Sequence, residues 1–430
     1  MVLQEKTAPT GYKTDTVSIN SEGNEAKGEN NLYIYKKLPD PNNRNNTTAT
    51  LIDLKETPII SEKAQVLGGV KVEKHDSKTH NTTPQGDANL KSTFEIYNTS
   101  KNAIFIGDKK VDSGQLVTTI ETNDKQIAQT DVKYLPYGSY AITEVSTDKT
   151  YKLVQWSKNF EIRQDGQVVN FVATDEGSPE NEVKRGGVTL QKFDKDFLES
   201  RPQGDATLAG AEFTIVNKSK QPVYNLAKNT FIPVDGVVDV IRTDANGLAS
   251  SAANLLPIGT YEIKETKPSK GYLLNEKWVK TFKITEDAQI VNLTEMPTKD
   301  KEFNYEANEV ADTKAVAEKV IRGDVLIKKS DKDRIVTDPA DDDNRGQGDA
   351  TLAGAKFNII NVSSHPVFVE NKEYAKDSIV KVITTDKNGI AKTEGKTLPY
   401  GTYKVVEASA PDGYFVDEKW SQTFSIREEG

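Results

Sequence analysis

One pattern recurs three times along the chain, and it constrains the fold more than any single residue does. Trp156, Trp278 and Trp420 each open the frame W-x-x-x-F-x-I, as Trp156-Phe160-Ile162, Trp278-Phe282-Ile284 and Trp420-Phe424-Ile426. The alternating F-x-I is the signature of a strand with one face on a core. Upstream of each Trp, a Leu-Pro turn enters a second alternating strand: Tyr140-x-Ile142-x-Glu144, Tyr261-x-Ile263-x-Glu265 and Tyr403-x-Val405-x-Glu407. Further upstream, Gln85-Gly86-Asp87-Ala88, Gln203-Gly204-Asp205-Ala206 and Gln347-Gly348-Asp349-Ala350 precede Phe94-x-Ile96, Phe213-x-Ile215 and Phe357-x-Ile359. Each repeat begins with Val70-x-Val72-x-Lys74-x-Asp76, Val188-x-Leu190-x-Lys192-x-Asp194 or Val325-x-Ile327-x-Lys329-x-Asp331. Short strands punctuated by Pro and Gly turns predict an all-β chain of tandem immunoglobulin-like sandwiches.

The repeats set the expected boundaries. Domains are expected at 69–186, 187–322 and 323–430, starting at Gly68-Gly69, Gly186-Gly187 and Gly323. Residues 1–68 are expected to be the C-terminal part of a truncated domain. Glu5-Lys6-Thr7-Ala8-Pro9-Thr10-Gly11-Tyr12 repeats the spacing of Glu265 to Gly271-Tyr272 and of Glu407 to Gly413-Tyr414. The domain at 323–430 is expected to lack its last strand, so the sequence reads as a fragment of a longer array. Residues 304–322 are rich in Ala, Glu and Lys and suit either a short linker helix or a last strand followed by a helix.

Composition removes most other functions. Of 430 residues, 35% are hydrophobic and 8% aromatic, which suits several thin cores better than one large one. Cysteine is absent, which excludes disulfides, thiolate metal sites and cysteine nucleophiles. The net charge of −9 disfavours nucleic acid as a partner. No apolar run is long enough to span a membrane. His75, His80 and His365 share no frame and are taken as surface residues, so neither a metal nor a cofactor is expected. The acidic stretch 338–344 misses the spacing of a calcium loop and is expected to be solvated. The tryptophans are expected to anchor cores.

The remaining chemistry lies in three recurring residues. Lys74, Lys192 and Lys329 are in phase with the apolar residues of their strands, and so are Glu144, Glu265 and Glu407. Ionisable groups aimed into a core must be neutralised or paired. An Asn on a late strand, Asn181 or Asn308, completes the set in two repeats, and Asn170 and Asn292 are rival candidates in matching frames. A neutral amine beside a carboxylic acid and a carboxamide is suited to amide formation.

The segments Tyr261-x-Ile263-x-Glu265-Thr266 … Gly271-Tyr272 and Glu5 … Ala8-Pro9-x-Gly11-Tyr12 resemble the acidic box of Cna B-type, or SpaA-like, prealbumin-fold domains of Gram-positive cell-wall adhesins and pilins. The resemblance covers nearly the whole chain. It implies reverse immunoglobulin-like sandwiches in a rod, each closed by an autocatalytic Lys–Asn isopeptide bond. Carried over residue by residue, it implies Lys74–Asn181 with Glu144, and Lys192–Asn308 with Glu265. Lys329 and Glu407 would serve the last domain, with its Asn past Gly430, and Glu5 would serve the first. It further implies the stalk of an extracellular, cell-wall-attached adhesin with no turnover enzyme activity. The host-matrix ligand would be held by missing distal domains, and sortase anchoring would lie outside the fragment. The alternatives are a subunit of a sortase-assembled pilus, or domains that bind host ligands through loops such as 218–232 or 334–346. Glu144 departs from the box, because Val145 to Thr150 carries neither the Ala-Pro nor the Gly.

Overall fold

The structure, a computed structural model, describes residues 66–173, 177–297, 314–333 and 346–430, together with Thr10, Tyr12 and the backbone of the strands Lys37–Asp40 and Asn43–Ala49. Among the described residues there are strands and turns but no helix. The chain divides into two compact units, Met1–Pro84 with Asn89–Val183, and Gln85–Ala88 with Lys184–Gly430.

In the first unit, the strand Leu67–Glu73 pairs antiparallel with Ile127–Gln129 and Leu135–Pro136, and parallel with Val168–Phe171. A second sheet runs in the order Ser157–Ile162, Gly138–Thr147, Ser92–Asn98, Leu116–Glu121. The two sheets face each other across one core of Val70, Val72, Phe94, Ile96, Tyr140, Ile142 and Phe160, as their period-two patterns require. The chain then crosses back, so that Glu180–Val183 lies parallel to His75–Asp76.

The second unit repeats this arrangement. Arg185–Asp194 lies parallel to Ile290–Leu293 and then to Val316–Glu318. Gly259–Lys267 sits between Glu212–Asn217 and Val279–Ile284. Within the same unit, Gly401–Ser409 sits between Lys356–Asn361 and Ser421–Ile426. Residues 314–322, one end of the segment expected to hold either helix or strand, supply the strand Val316–Glu318; residues 304–313 lie outside the described residues. A buried tyrosine pins each middle strand to the turn before it: the hydroxyls of Tyr140, Tyr261 and Tyr403 donate to the carbonyls of Pro136, Pro257 and Pro399 at 2.6–2.8 Å.

The Gln-Gly-Asp repeat, which the sequence marks without assigning it a task, is a latch. In the second unit, Gln203 Nε2 donates to both carboxylate oxygens of Asp194 at 3.1 and 2.9 Å, while its Oε1 accepts from Phe368 N at 3.1 Å. Asp205 accepts from Ser364 N, Thr402 Oγ1 and Arg427 Nη2 at 3.0, 2.6 and 3.0 Å. Between them, Gly204 has φ 62°, and a Cβ there would stand 2.0 Å from the Tyr400 carbonyl oxygen, so only glycine fits. Gln85–Ala88 makes the same contacts within that unit, with Tyr224 N donating to Gln85 Oε1 and Thr260 Oγ1 to Asp87 Oδ2.

Asp205→Ala removes the common acceptor of Ser364, Thr402 and Arg427. It should destabilise the second unit by about 2–4 kcal/mol in urea unfolding, and an unchanged midpoint would show the latch to be incidental.

Candidate functional site

Lys74 and Lys192 each have a charge that has been taken out of water. Lys74 is fully buried, and Glu144 is its acid partner: Nζ stands 3.2 and 3.3 Å from the two carboxylate oxygens. The lysine ends the core-facing phase of Leu67–Glu73, and Glu144 follows Tyr140 and Ile142 on the inward face of Gly138–Thr147. Asn181 closes the group from the crossing strand. Its side chain is fully buried, its Nδ2 donates to Glu144 Oε1 at 3.2 Å, and its Oδ1 has no hydrogen-bond partner. The structure therefore brings Lys74, Glu144 and Asn181 together.

Burial pulls the Lys74 ammonium down from 10.5 to about 8, and Glu144 only partly offsets it. A shift of that size leaves about 300-fold more neutral amine near neutral pH than an exposed lysine has. Trp156 packs edge-on to Phe94 with ring centroids 5.7 Å apart, and its indole N–H donates to the Gly177 carbonyl, which leads into the crossing strand. Trp278 does the same with Phe213 and the Lys314 carbonyl. The tryptophans thus anchor cores and also hold down the return of the chain. Trp420 packs on Phe357 but is more exposed.

The second residue after each lysine orients the loop beyond the acid. The hydroxyls of Tyr151, Tyr272 and Tyr414 donate to Asp76, Asp194 and Asp331 at 2.9, 2.8 and 2.6 Å. This explains the Lys-x-Asp repeat and the Tyr that ends each acidic box. Burial pushes the Asp194 carboxyl up to about 6, Asp196 adds to the push, and the donors Gln203 and Tyr272 work against it.

In the second unit the lysine and acid recur and the third partner differs. Lys192 Nζ is 3.0 Å from Glu265 Oε1 and 3.0 Å from Glu318 Oε2, with no exposure of any of the three side chains. Glu265 is held by Asn275 N at 2.8 Å. The register identifies Glu318 as the counterpart of Asn181, because Asn181 pairs with Asp76 and Glu318 with Asp194. Asn308 lies outside the described residues, as do Glu5, the acidic stretch 338–344 and most of the loop 334–346. A sequence signal for Glu318 exists: Asn181-x-Val183-x-Arg185-Gly186 and Glu318-x-Val320-x-Arg322-Gly323 share one frame. A search by residue type for an Asn passes over it. The rival acceptors point elsewhere: Asn170 and Asn292 are exposed, opposite Lys71 and Thr189 rather than the buried lysines.

In the last domain Lys329 Nζ is 2.7 Å from Glu407 Oε1, and Glu407 Oε2 accepts from Asp417 N. One expectation for the histidines is corrected. His75 is buried, because it lies beside the crossing strand where Ser178 Oγ stands 3.0 Å from its Nδ1. Among the described residues no cluster of His, Asp and Glu could hold a metal, and no helix is long and apolar enough to cross a membrane.

Residues 187–298 and 343–430 match the family model of the SpaA prealbumin-like fold domain. These two repeats are SpaA-type prealbumin-like domains. Among solved structures, the chain is similar to the Bacillus anthracis TIE protein, with 24% identity over 85% of this chain, 49% of that one, and a TM-score of 0.46. It is also similar to a streptococcal ancillary pilin, at 20% identity over 84% of this chain and 95% of that one, TM-score 0.23. BcpA, the major pilin subunit of Bacillus cereus, aligns at 13% identity over 84% and 95%, TM-score 0.25. The chain thus spans about half the length of the Bacillus anthracis protein. No curated protein matches it.

The depressed Lys74 makes a signed prediction. In Asn181→Ala, the folded lysine releases its proton near pH 8 while the unfolded lysine keeps its proton until about 10.5. Stability should therefore rise as pH climbs through that window. Urea unfolding at several pH values measures it, and a flat profile would mean a hydrated Lys74.

Proposed function

We propose that the chain is a structural part of a Gram-positive surface pilus or adhesin, exposed outside the cell, whose domains cross-link themselves. The observation that carries this reading is the fully buried Lys74–Glu144–Asn181 group. The SpaA-type repeats support it. So does the absence of cysteine, which leaves thin-cored domains without disulfides.

The chemistry follows from the geometry. Lys74 gives up a proton to Glu144, and its neutral Nζ attacks the Asn181 carboxamide carbon. A half-turn of the amide brings Oδ1 to the protonated Glu144, which polarises the carbonyl. Glu144 then hands its proton to the departing nitrogen. The Nζ–Cγ bond forms, the Cγ–Nδ2 bond breaks and ammonia leaves, and the second Nζ proton passes to Glu144, which ends as a neutral carboxylic acid. Each domain reacts once, so this is no turnover enzyme. The dry site favours the neutral species at each stage.

The value of such a bond is mechanical and thermal. It joins the first strand to the last across a loop of about 100 residues, worth about 4–5 kcal/mol if the chain-entropy account of disulfides applies. The strands it joins run parallel, Glu180–Val183 beside His75–Asp76, so a pull on the two ends of the domain would load a covalent link. This suits a stalk. A polymerised pilin subunit is the second reading, favoured by the two pilins among the similar structures.

Peptide mapping of the full chain by mass spectrometry should recover Lys74 and Asn181 in one branched peptide lighter by one ammonia. Lys74→Ala, Asn181→Ala and Glu144→Ala should each yield separate linear peptides. Linear peptides from the unmutated chain would overturn the proposal and leave the fold standing.

A further inference from the structure

Glu318 occupies the position of an acceptor but carries the wrong group for loss of ammonia. It pairs with Asp194 as Asn181 pairs with Asp76, it stands four residues before a strand-opening Arg-Gly as Asn181 does, and its side chain is as deeply buried. Glu265 approaches Lys192 as Glu144 approaches Lys74. The difference is a carboxyl in place of a carboxamide.

We infer that Lys192 and Glu318 condense to a Lys–Glu amide with loss of water, a cross-link distinct in acceptor and leaving group from the one at Lys74. The inference rests on the self-cross-linking reading above and extends it to a different reaction.

Three ionisable side chains share one dry space here, and they cannot all be charged. One ammonium balances one carboxylate; the second carboxyl must hold a proton. Glu318 is the one to hold it. Among the described residues no backbone N–H or hydroxyl donates to its oxygens, whereas Glu265 accepts from Asn275 N. Burial pushes the Glu318 carboxyl far up, Glu265 pushes the same way, and Lys192 only partly restrains it. A protonated carboxyl is an electrophile, and an ionised one is not. The Tyr272 ring covers the amine at 5.4 Å, and its hydroxyl is committed to Asp194.

The step balances without any co-reactant. Glu265 takes a proton from the Lys192 ammonium, and Nζ attacks Glu318 Cδ, so the Nζ–Cδ bond forms. Glu265 returns that proton to the departing hydroxyl, the Cδ–O bond breaks and water leaves, and the second Nζ proton passes to Glu265, which ends as a neutral carboxylic acid. The product is a neutral amide in place of an ammonium and a carboxyl. In an interior where charges are costly, that replacement draws the reaction forward.

The test is peptide mapping of the full chain with Lys74–Asn181 as internal reference. The expected result is one branched peptide containing Lys192 and Glu318, lighter by one water, with both linear peptides lost. Glu318→Gln keeps the side chain's size, and its branched peptide should instead be lighter by one ammonia from that amide, giving the same bond. Glu318→Ala should restore a linear Lys192 peptide. Linear Lys192 and Glu318 peptides beside an intact Lys74–Asn181 link would overturn this inference alone. Linear peptides at both places would overturn the self-cross-linking reading as well. Lys192 joined to any other residue, Asn308 included, would also overturn the inference.

Discussion

An ammonium group without water is the constraint on which each sandwich depends. Lys74 and Lys192 are fully buried in cores that are otherwise apolar, and each would be strongly destabilising alone. The acid opposite makes that burial tolerable, and the crossing strand makes it complete. The tryptophan then fixes the return of the chain through its N–H, and the Lys-x-Asp tyrosine contact fixes the loop beyond the acid. Much of each repeat's recognisable sequence is therefore the support of one buried charge.

The comparison of the repeats shows how chemistry diverges on a constant frame. The lysine and the first acid are the same in all three, at 2.7–3.3 Å. The third position is free to differ, Asn in one repeat and Glu in the next, without disturbing register or burial. What changes is a buried carboxamide for a buried carboxyl.

Most of the fold was legible, because strand phase is a short-range property. Tyr140-x-Ile142-x-Glu144 and its copies place their acids inward by alternation alone, and the structure has them there. The lysines were legible for the same reason. Asn181 was legible as well, but Glu318 was not, since it depends on which residue of a distant strand falls opposite Asp194, a register set by a crossover. Only the Arg185 and Arg322 frame carried that information. The buried His75 was missed in the same way, its cover coming from Ser178 far along the chain. The role of Gln-Gly-Asp was invisible because its partners, Phe368 and Thr402, belong to a later repeat.

Gln203 has one more consequence. Its amide touches Asp194, two residues past Lys192, with one end, and the backbone of Phe368 with the other. Any hinge motion between these two segments must strain the amide that also steadies the strand bearing the lysine. The packing of the strand that bears the buried amine and the contact with Phe368 are thereby coupled through one side chain, so loosening either end removes a support from the other.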